Sequence, residues 1–264
     1  MAALTFEEKV ALFGEDVARA MQETESAQKG SGVSIPYSIL KNISDMGNES
    51  GQFGEFVYGV KKEKQPDGQY KVVDVGTNIG KEFNFIPVSI AYRYRRWDAK
   101  ANKNYVSSIF MNASDGDMAT DSNGNRLPAG KEAKKEAGWK MVKMVAGLVN
   151  KKDKEPWVPV LWEISGKMFF TYNNVANKLP NPVIGGIVKI KTKFEKQGST
   201  TYTVIDETGS SIGTLPADFL TNNRQIIGEM TIKMKEFFTA YSAKPKSKSA
   251  APVVEADDDE ADSW

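Results

Sequence analysis

The sequence predicts a mainly β fold with inserted helices, an α+β arrangement in which a small barrel is decorated by N-terminal, central and C-terminal helices. Three observations carry that expectation. β-prone runs cluster between residues 34 and 111 and again between 157 and 207. The turn-forming stretches Gln65-Pro66-Asp67-Gly68 and Lys196-Gln197-Gly198-Ser199 separate pairs of those runs. Helical spacing of apolar residues is confined to a few other stretches. With 264 residues, 40% of them hydrophobic and 26% charged, the chain can bury a sizeable core.

The elements follow in order. Thr5 and Glu8 have capping-box spacing, and Phe6, Val10, Phe13, Val17 and Met21 recur at helical intervals, so residues 5–28 read as an amphipathic helix ended by Gly30-Ser31-Gly32. Residues 56–61 and 70–75 read as a hairpin across the Pro-Asp-Gly turn. The run 85–97 reads as a long strand that 105–111 can join across Asp98 to Asn102. Residues 112–130, rich in Asn, Asp, Ser and Gly, form an exposed loop. A helix is expected over 131–149, with Trp139, Val142, Val145 and Val149 on its apolar side and Lys131, Lys134, Lys135, Lys140 and Lys143 around the rest. Residues 157–164 make a strand, 167–178 a short helix, and 187–195 with 200–207 a second hairpin. A last helix spans 216–243. Seven or eight strands with interleaved helices fit the OB-fold best among small barrels. Residues 1–243 then form one body, and 244–264 a disordered basic linker and acidic tail.

Composition excludes much chemistry. The chain has no cysteine and no histidine, which removes disulfides, thiolate metal sites and the usual general base. No enzyme activity and no cofactor are expected. No apolar run approaches the roughly 18 residues of a membrane span, and the N-terminus lacks a secretory leader pattern. The net charge of +1 hides a segregation. Residues 249–264 hold six carboxylates and no base, so residues 1–248 carry +7.

Tyr92-Arg93-Tyr94-Arg95-Arg96-Trp97 is the sharpest signal in the body. Alternation along a strand puts Val88, Ile90, Tyr92 and Tyr94 on one side and Arg93, Arg95 and Trp97 on the other. Cations beside a stacking ring suit a single-strand groove, where each stacked base is worth about 1–3 kcal/mol. Lys189, Lys191 and Lys193 alternate likewise and form a basic stripe, or else a solvated edge that blocks aggregation. The lysines of 131–143 and Lys151-Lys152-Asp153-Lys154 read first as a solvated face, and the aromatics Trp139, Trp157, Trp162, Phe169 and Phe170 first as core. Asp121, Asn123, Asn125 and Glu132 echo part of a calcium-loop spacing, but Arg126 stands where glycine is needed.

The last residues are the most specific feature. A Lys/Ser/Pro linker leads to Glu255, Asp257, Asp258, Asp259, Glu260 and Asp262, and the chain closes on Trp264, whose ring and carboxylate suit a docking peptide. A basic body, an acidic tail and a terminal aromatic resemble phage single-stranded-DNA-binding proteins, OB-fold proteins with helical insertions. The segments 85–97, 159–166 and 185–191 also resemble stretches found in phage proteins of that kind. Tails of that class commonly end in phenylalanine, so Trp264 departs from the pattern.

The resemblance implies sequence-non-specific binding of single-stranded DNA during phage replication, recombination and repair, in the cytoplasm of the infected bacterial host. It also implies a tail that recruits replication or recombination proteins and competes with DNA for the groove. Binding then falls on Tyr92, Arg93, Tyr94, Arg95, Arg96, Trp97, Lys189, Lys191 and Lys193, and partner docking on Asp257, Asp258, Asp259, Glu260, Asp262 and Trp264. Two alternatives stand beside it: a Mg²⁺-dependent nucleic-acid enzyme using Asp115, Asp117 or Asp121, and a tail-mediated assembly protein that binds no DNA.

Overall fold

The computed structural model describes residues 35–44, 50–65, 70–101, 103–151 and 155–242. Its strands, in chain order, are β1 (Ser38–Asn42), β2 (Phe56–Tyr58), β3 (Lys61–Lys64), β4 (Tyr70–Asp74), β5 (Thr77–Gly80), β6 (Glu82–Asp98), β7 (Lys103–Val106), β8 (Lys140–Asn150), β9 (Val158–Ser165), β10 (Ile187–Gln197), β11 (Thr200–Ile205) and β12 (Ser211–Gly213). The helices are α1 (Lys131–Glu136), α2 (Gly166–Ala176), α3 (Phe219–Asn222) and α4 (Arg224–Ala240), with a 3-10 turn at Ala113–Met118. The expected N-terminal helix, the linker and the tail lie outside the described residues.

Ten strands form one sheet with the path β11-β10-β6-β8-β9-β1-β2-β5, while β12 pairs with β10 and β7 with β6. All neighbours are antiparallel except β1 and β9, where Leu40 stands opposite Trp162. β3 and β4 form a separate two-stranded ribbon. The long strands β6 and β8 hold the middle and pair from Asn84–Asn150 to Arg95–Lys140. The sheet curls into a half-barrel because its β2–β5 edge returns toward β10. There the Thr192 hydroxyl is 3.4 Å from the Gly54 carbonyl and 3.3 Å from that of Lys81, while Phe194 packs on Phe53 with centroids 5.1 Å apart.

Both faces of the sheet are apolar at its centre. The inner face gathers Phe56, Phe83, Phe85, Val145, Val149, Val160, Trp162 and Ile164, closed by Tyr172 and Val175 of α2. Trp162 is the hub, edge-on to Phe56, Phe83, Phe85 and Tyr172 at 5.3–5.9 Å. The outer face gathers Ile86, Val88, Ala91, Val142, Met144, Ala146, Leu148 and Leu161 against Met230, Met234, Phe237 and Phe238 of α4. A third cluster, with Tyr94, Phe110, Leu127 and Trp139, lies where the excursion after β7 covers the far end of the inner face.

The main departure from expectation is the segment 131–149. Only Lys131–Glu136 is helical; Gly138, at φ +81°, turns the chain, and Lys140–Asn150 is a strand. The 3.6-residue spacing of Trp139, Val142, Val145 and Val149 is real, but the intervening Met144, Ala146 and Leu148 are equally apolar because both faces of β8 are covered. A strand buried on both sides reads as a continuous apolar run. The lysines of this stretch are not all a solvated face either: Lys134 is 1% exposed and Lys143 7%. The first hairpin also shifts, since β2 pairs with β1 and β5, and the ribbon begins at Lys61.

Candidate nucleic-acid interface

Strand β6 carries the basic and aromatic residues singled out in the sequence. A register shift between Pro87 and Ser89 puts Val88 with Ile86 on the outer face. Beyond the shift alternation resumes, so Ile90, Tyr92, Tyr94 and Arg96 follow the inner face while Ala91, Arg93, Arg95 and Trp97 follow the outer one. The hexapeptide is therefore split between two surfaces.

On the inner side, Tyr94 is buried in the third cluster beside Phe110, with the Lys134 ammonium 5.5 Å from its ring. Tyr92 is half-buried and stacks on Phe110 at 6.1 Å. Both phenols are held above the ordinary tyrosine range by burial. The Arg96 guanidinium lies 5.1 Å from the Tyr105 ring and 5.2 Å from the Trp139 ring, two cation–π contacts.

On the outer side Arg93 is not an open surface residue. It is 5% exposed, and its Nη2 donates to Oε1 of Glu163 across β8. Burial removes Arg93 and Tyr94 from the expected groove, because neither side chain reaches solvent to meet a strand.

Arg95 and Trp97 differ. Both are half-exposed, and the apolar rows of this face stop at Ala91 on β6 and Val142 on β8. Arg95 stands directly opposite Lys140 of β8, with Val106 of β7 on its other side. In sequence, the β6–β7 turn and the start of β8 carry the cations Arg95, Arg96, Lys100, Lys103 and Lys140 and the carboxylate Asp98. Asp98 is occupied by the turn itself, accepting from the backbone N–H of Lys100 and Ala101 at 3.0 and 3.1 Å.

Lys189, Lys191 and Lys193 do share one exposed face of β10. Two of them are neutralised: Lys191 pairs with Glu82 at 2.8 Å, and Lys193 with Glu195 at 3.5 Å and Asp206 at 3.9 Å. The Glu82 partnership holds the Lys191 ammonium above its ordinary value. The stripe is also remote. Lys189 stands opposite Asn84, and the eleven residues from there to Arg95 span about 35 Å at a strand's rise. The arginine end and the lysine stripe are not one compact groove.

The acidic loop is self-occupied. Asp121 accepts from the backbone N–H of Asn123 and Asn125 at 2.9 and 2.8 Å. Asp117 is bound by Lys134 and by the Gly130 N–H, which hold its carboxyl below the usual range, and Asp115 accepts from Asn112 at 3.0 Å. Of the aromatics, Trp139 and Trp162 are core, Trp157 packs edge-on to Phe219, and Phe170 is exposed on α2. Sequence reasoning missed the facing of Arg95 and Lys140, since Lys140 was assigned to a helix. No protein-family model, curated protein or solved structure matches this chain. Fold and surface define a mainly β sheet protein with a basic and aromatic end.

Proposed function

We propose that the protein binds single-stranded DNA without sequence preference, and that the outer face at the β6–β7–β8 end is where the strand lies. The observation that carries this reading is the Arg95–Lys140 cross-strand pair with Trp97 two residues further along the same face of β6. A phosphate can be held between two facing cations, and the neighbouring indole offers a ring for a base. Arg96, Lys100 and Lys103 extend the positive field around the same turn.

We read the curled sheet as the counterpart of an OB-like barrel, a sheet closed round one apolar core whose rim meets the strand. The tail, from Asp257 through Asp258, Asp259, Glu260 and Asp262 to Trp264, competes with DNA for the cations and recruits replication or recombination proteins of a phage-infected bacterial cytoplasm. The role is then protection of exposed strands in replication, recombination and repair, without catalysis.

The test is a fluorescence titration of labelled oligo-dT, with duplex as control, at two salt concentrations. The full chain, a chain ending at Ser249 and Arg95→Ala are compared. Single strands should bind far more tightly than duplex, the shortened chain more tightly still, and Arg95→Ala should lower the salt slope by about one. If single strands fail to bind at low salt to the full and the shortened chain alike, the reading is wrong.

A further inference from the structure

Lys143 has no place in the interface above. It lies on β8 opposite Tyr92 of β6 and Ile164 of β9, on the inner face, whereas Arg95 and Lys140 belong to the outer one. It is 7% exposed, and its Nζ donates to Oδ1 of Asn173 at 2.7 Å and stands 5.2 Å from the centroid of the Tyr172 ring. Among the described residues no carboxylate lies within ion-pair distance of it. An ammonium has three N–H donors, and one of these is used.

The second observation is independent. The Tyr172 hydroxyl is fully buried and has no hydrogen-bond partner among the described residues. Tyr92 of the adjacent strand stands directly opposite Lys143 and is itself only half-buried. The unused capacity is thus of one kind: two N–H of Lys143 and the O–H of Tyr172, with Tyr92 on the facing strand. Asn173 Oδ1 is already taken. Buried polar groups are rarely left unmade, and a buried cation without a partner is costlier still.

We propose that Lys143, Tyr172, Asn173 and Tyr92 form a binding site for a small oxyanion of the phosphate class. Such a group is all acceptor and negatively charged, and it complements a set of donors carrying one positive charge. A metal cation is disfavoured by the ammonium. A neutral hydroxyl compound would satisfy the donors but leave the charge unpaired. Phosphate chemistry can arrive as the free anion or as the terminal phosphate of a nucleic-acid strand, and the experiment separates the two.

The melting temperature of the full chain is followed with rising inorganic phosphate against chloride of equal ionic strength. Fluorescence titrations compare 5′-phosphorylated with unphosphorylated oligo-dT. The expected result is a saturable phosphate-dependent rise in Tm that Lys143→Met abolishes. Tyr172→Phe keeps the ring against Trp162 and should weaken apparent phosphate affinity about tenfold, the size of one charge-assisted hydrogen bond. If the free anion is without effect but the 5′-phosphate adds affinity that Lys143→Met removes, the ligand is a strand end. If neither probe shows a response that depends on Lys143, or Tyr172→Phe responds like the parent protein, the inference falls. Should Lys143→Met not fold, the Tyr172→Phe comparison decides. Arg95→Ala serves as the separating control, because failure of the single-strand reading leaves the inorganic phosphate response untouched.

Discussion

The buried pair Arg93–Glu163 decides how any binding experiment on β6 is to be read. Their side chains are 6% and 12% exposed, and they meet above β8, whose Val142 and Met144 stand opposite Arg93 and Glu163. The span from β6 to β9 is two strand spacings, about 10 Å, which one arginine and one glutamate fill together. Arg93 Nε is buried without a partner, so the desolvation of the guanidinium is incompletely repaid. Removing one member of such a pair strands the other charge and costs about 3–5 kcal/mol, a large part of a domain's net stability. Replacing both with apolar residues of similar size leaves no charge behind and is close to neutral. Urea melts at pH 7 should therefore show Arg93→Met and Glu163→Leu each losing about 3 kcal/mol and the double variant losing under about 1 kcal/mol. The folded double variant should also bind oligo-dT like the parent. Additive losses in the melts would refute the pairing as an energetic unit. A double variant that is folded yet loses binding tenfold or more would put Arg93 on the strand after all.

Three further outcomes follow from the same geometry. Burial pulls the Lys143 ammonium down to about 8, below its unfolded value, so the unfolded chain holds more protons between pH 8 and 10.5 and stability rises with pH in that window. Lys143→Met should flatten that rise in pH-dependent melts and stabilise the protein at pH 7 by about 1–3 kcal/mol, the upper end being the full shift converted to energy. Gly54 sits at φ +86°, and a Cβ there would meet the Phe194 ring at 2.3 Å, so Gly54→Ala should cost about 1–3 kcal/mol in a urea melt by opening the β2–β10 closure. Lys191→Ala and Lys193→Ala, whose charges already face Glu82, Glu195 and Asp206, should leave the salt slope of DNA binding nearly unchanged where Arg95→Ala lowers it.

What was legible in the sequence was local. The hairpin β10–β11 is written in alternation around Gly198, and α2 and α4 in helical spacing. Strand β6 announces itself by the β-prone run 85–97, and the structure extends it to Glu82–Asp98. What was not legible depends on partners distant in the chain. Strand β8 resembled a helix because covering both of its faces erases the two-residue period; Gly138 and Gly147, poor residues for a helix interior, were the available warning. Gly147 is required there, since a Cβ would lie 2.5 Å from the Ile86 carbonyl. Alternation placed Arg93 beside Arg95 correctly, but its ion partner is seventy residues away and no periodicity reports it.

The distribution of charge over β6 follows from where apolar cover ends. Helix α4 closes the outer face as far as the Tyr241 carbonyl, which accepts from Ile109 at 2.7 Å. Arg93 lies at that margin, and the hydration it loses there is partly offset by one carboxylate brought from β9. Two residues further out the cover has stopped, and the next cation, Arg95, has another cation opposite it instead of a carboxylate. The same strand thus satisfies its inner arginine and leaves its outer one against a like charge. That contrast, within three residues of one strand, is the reason the proposed single-strand interface is set at the outer end and not at Arg93.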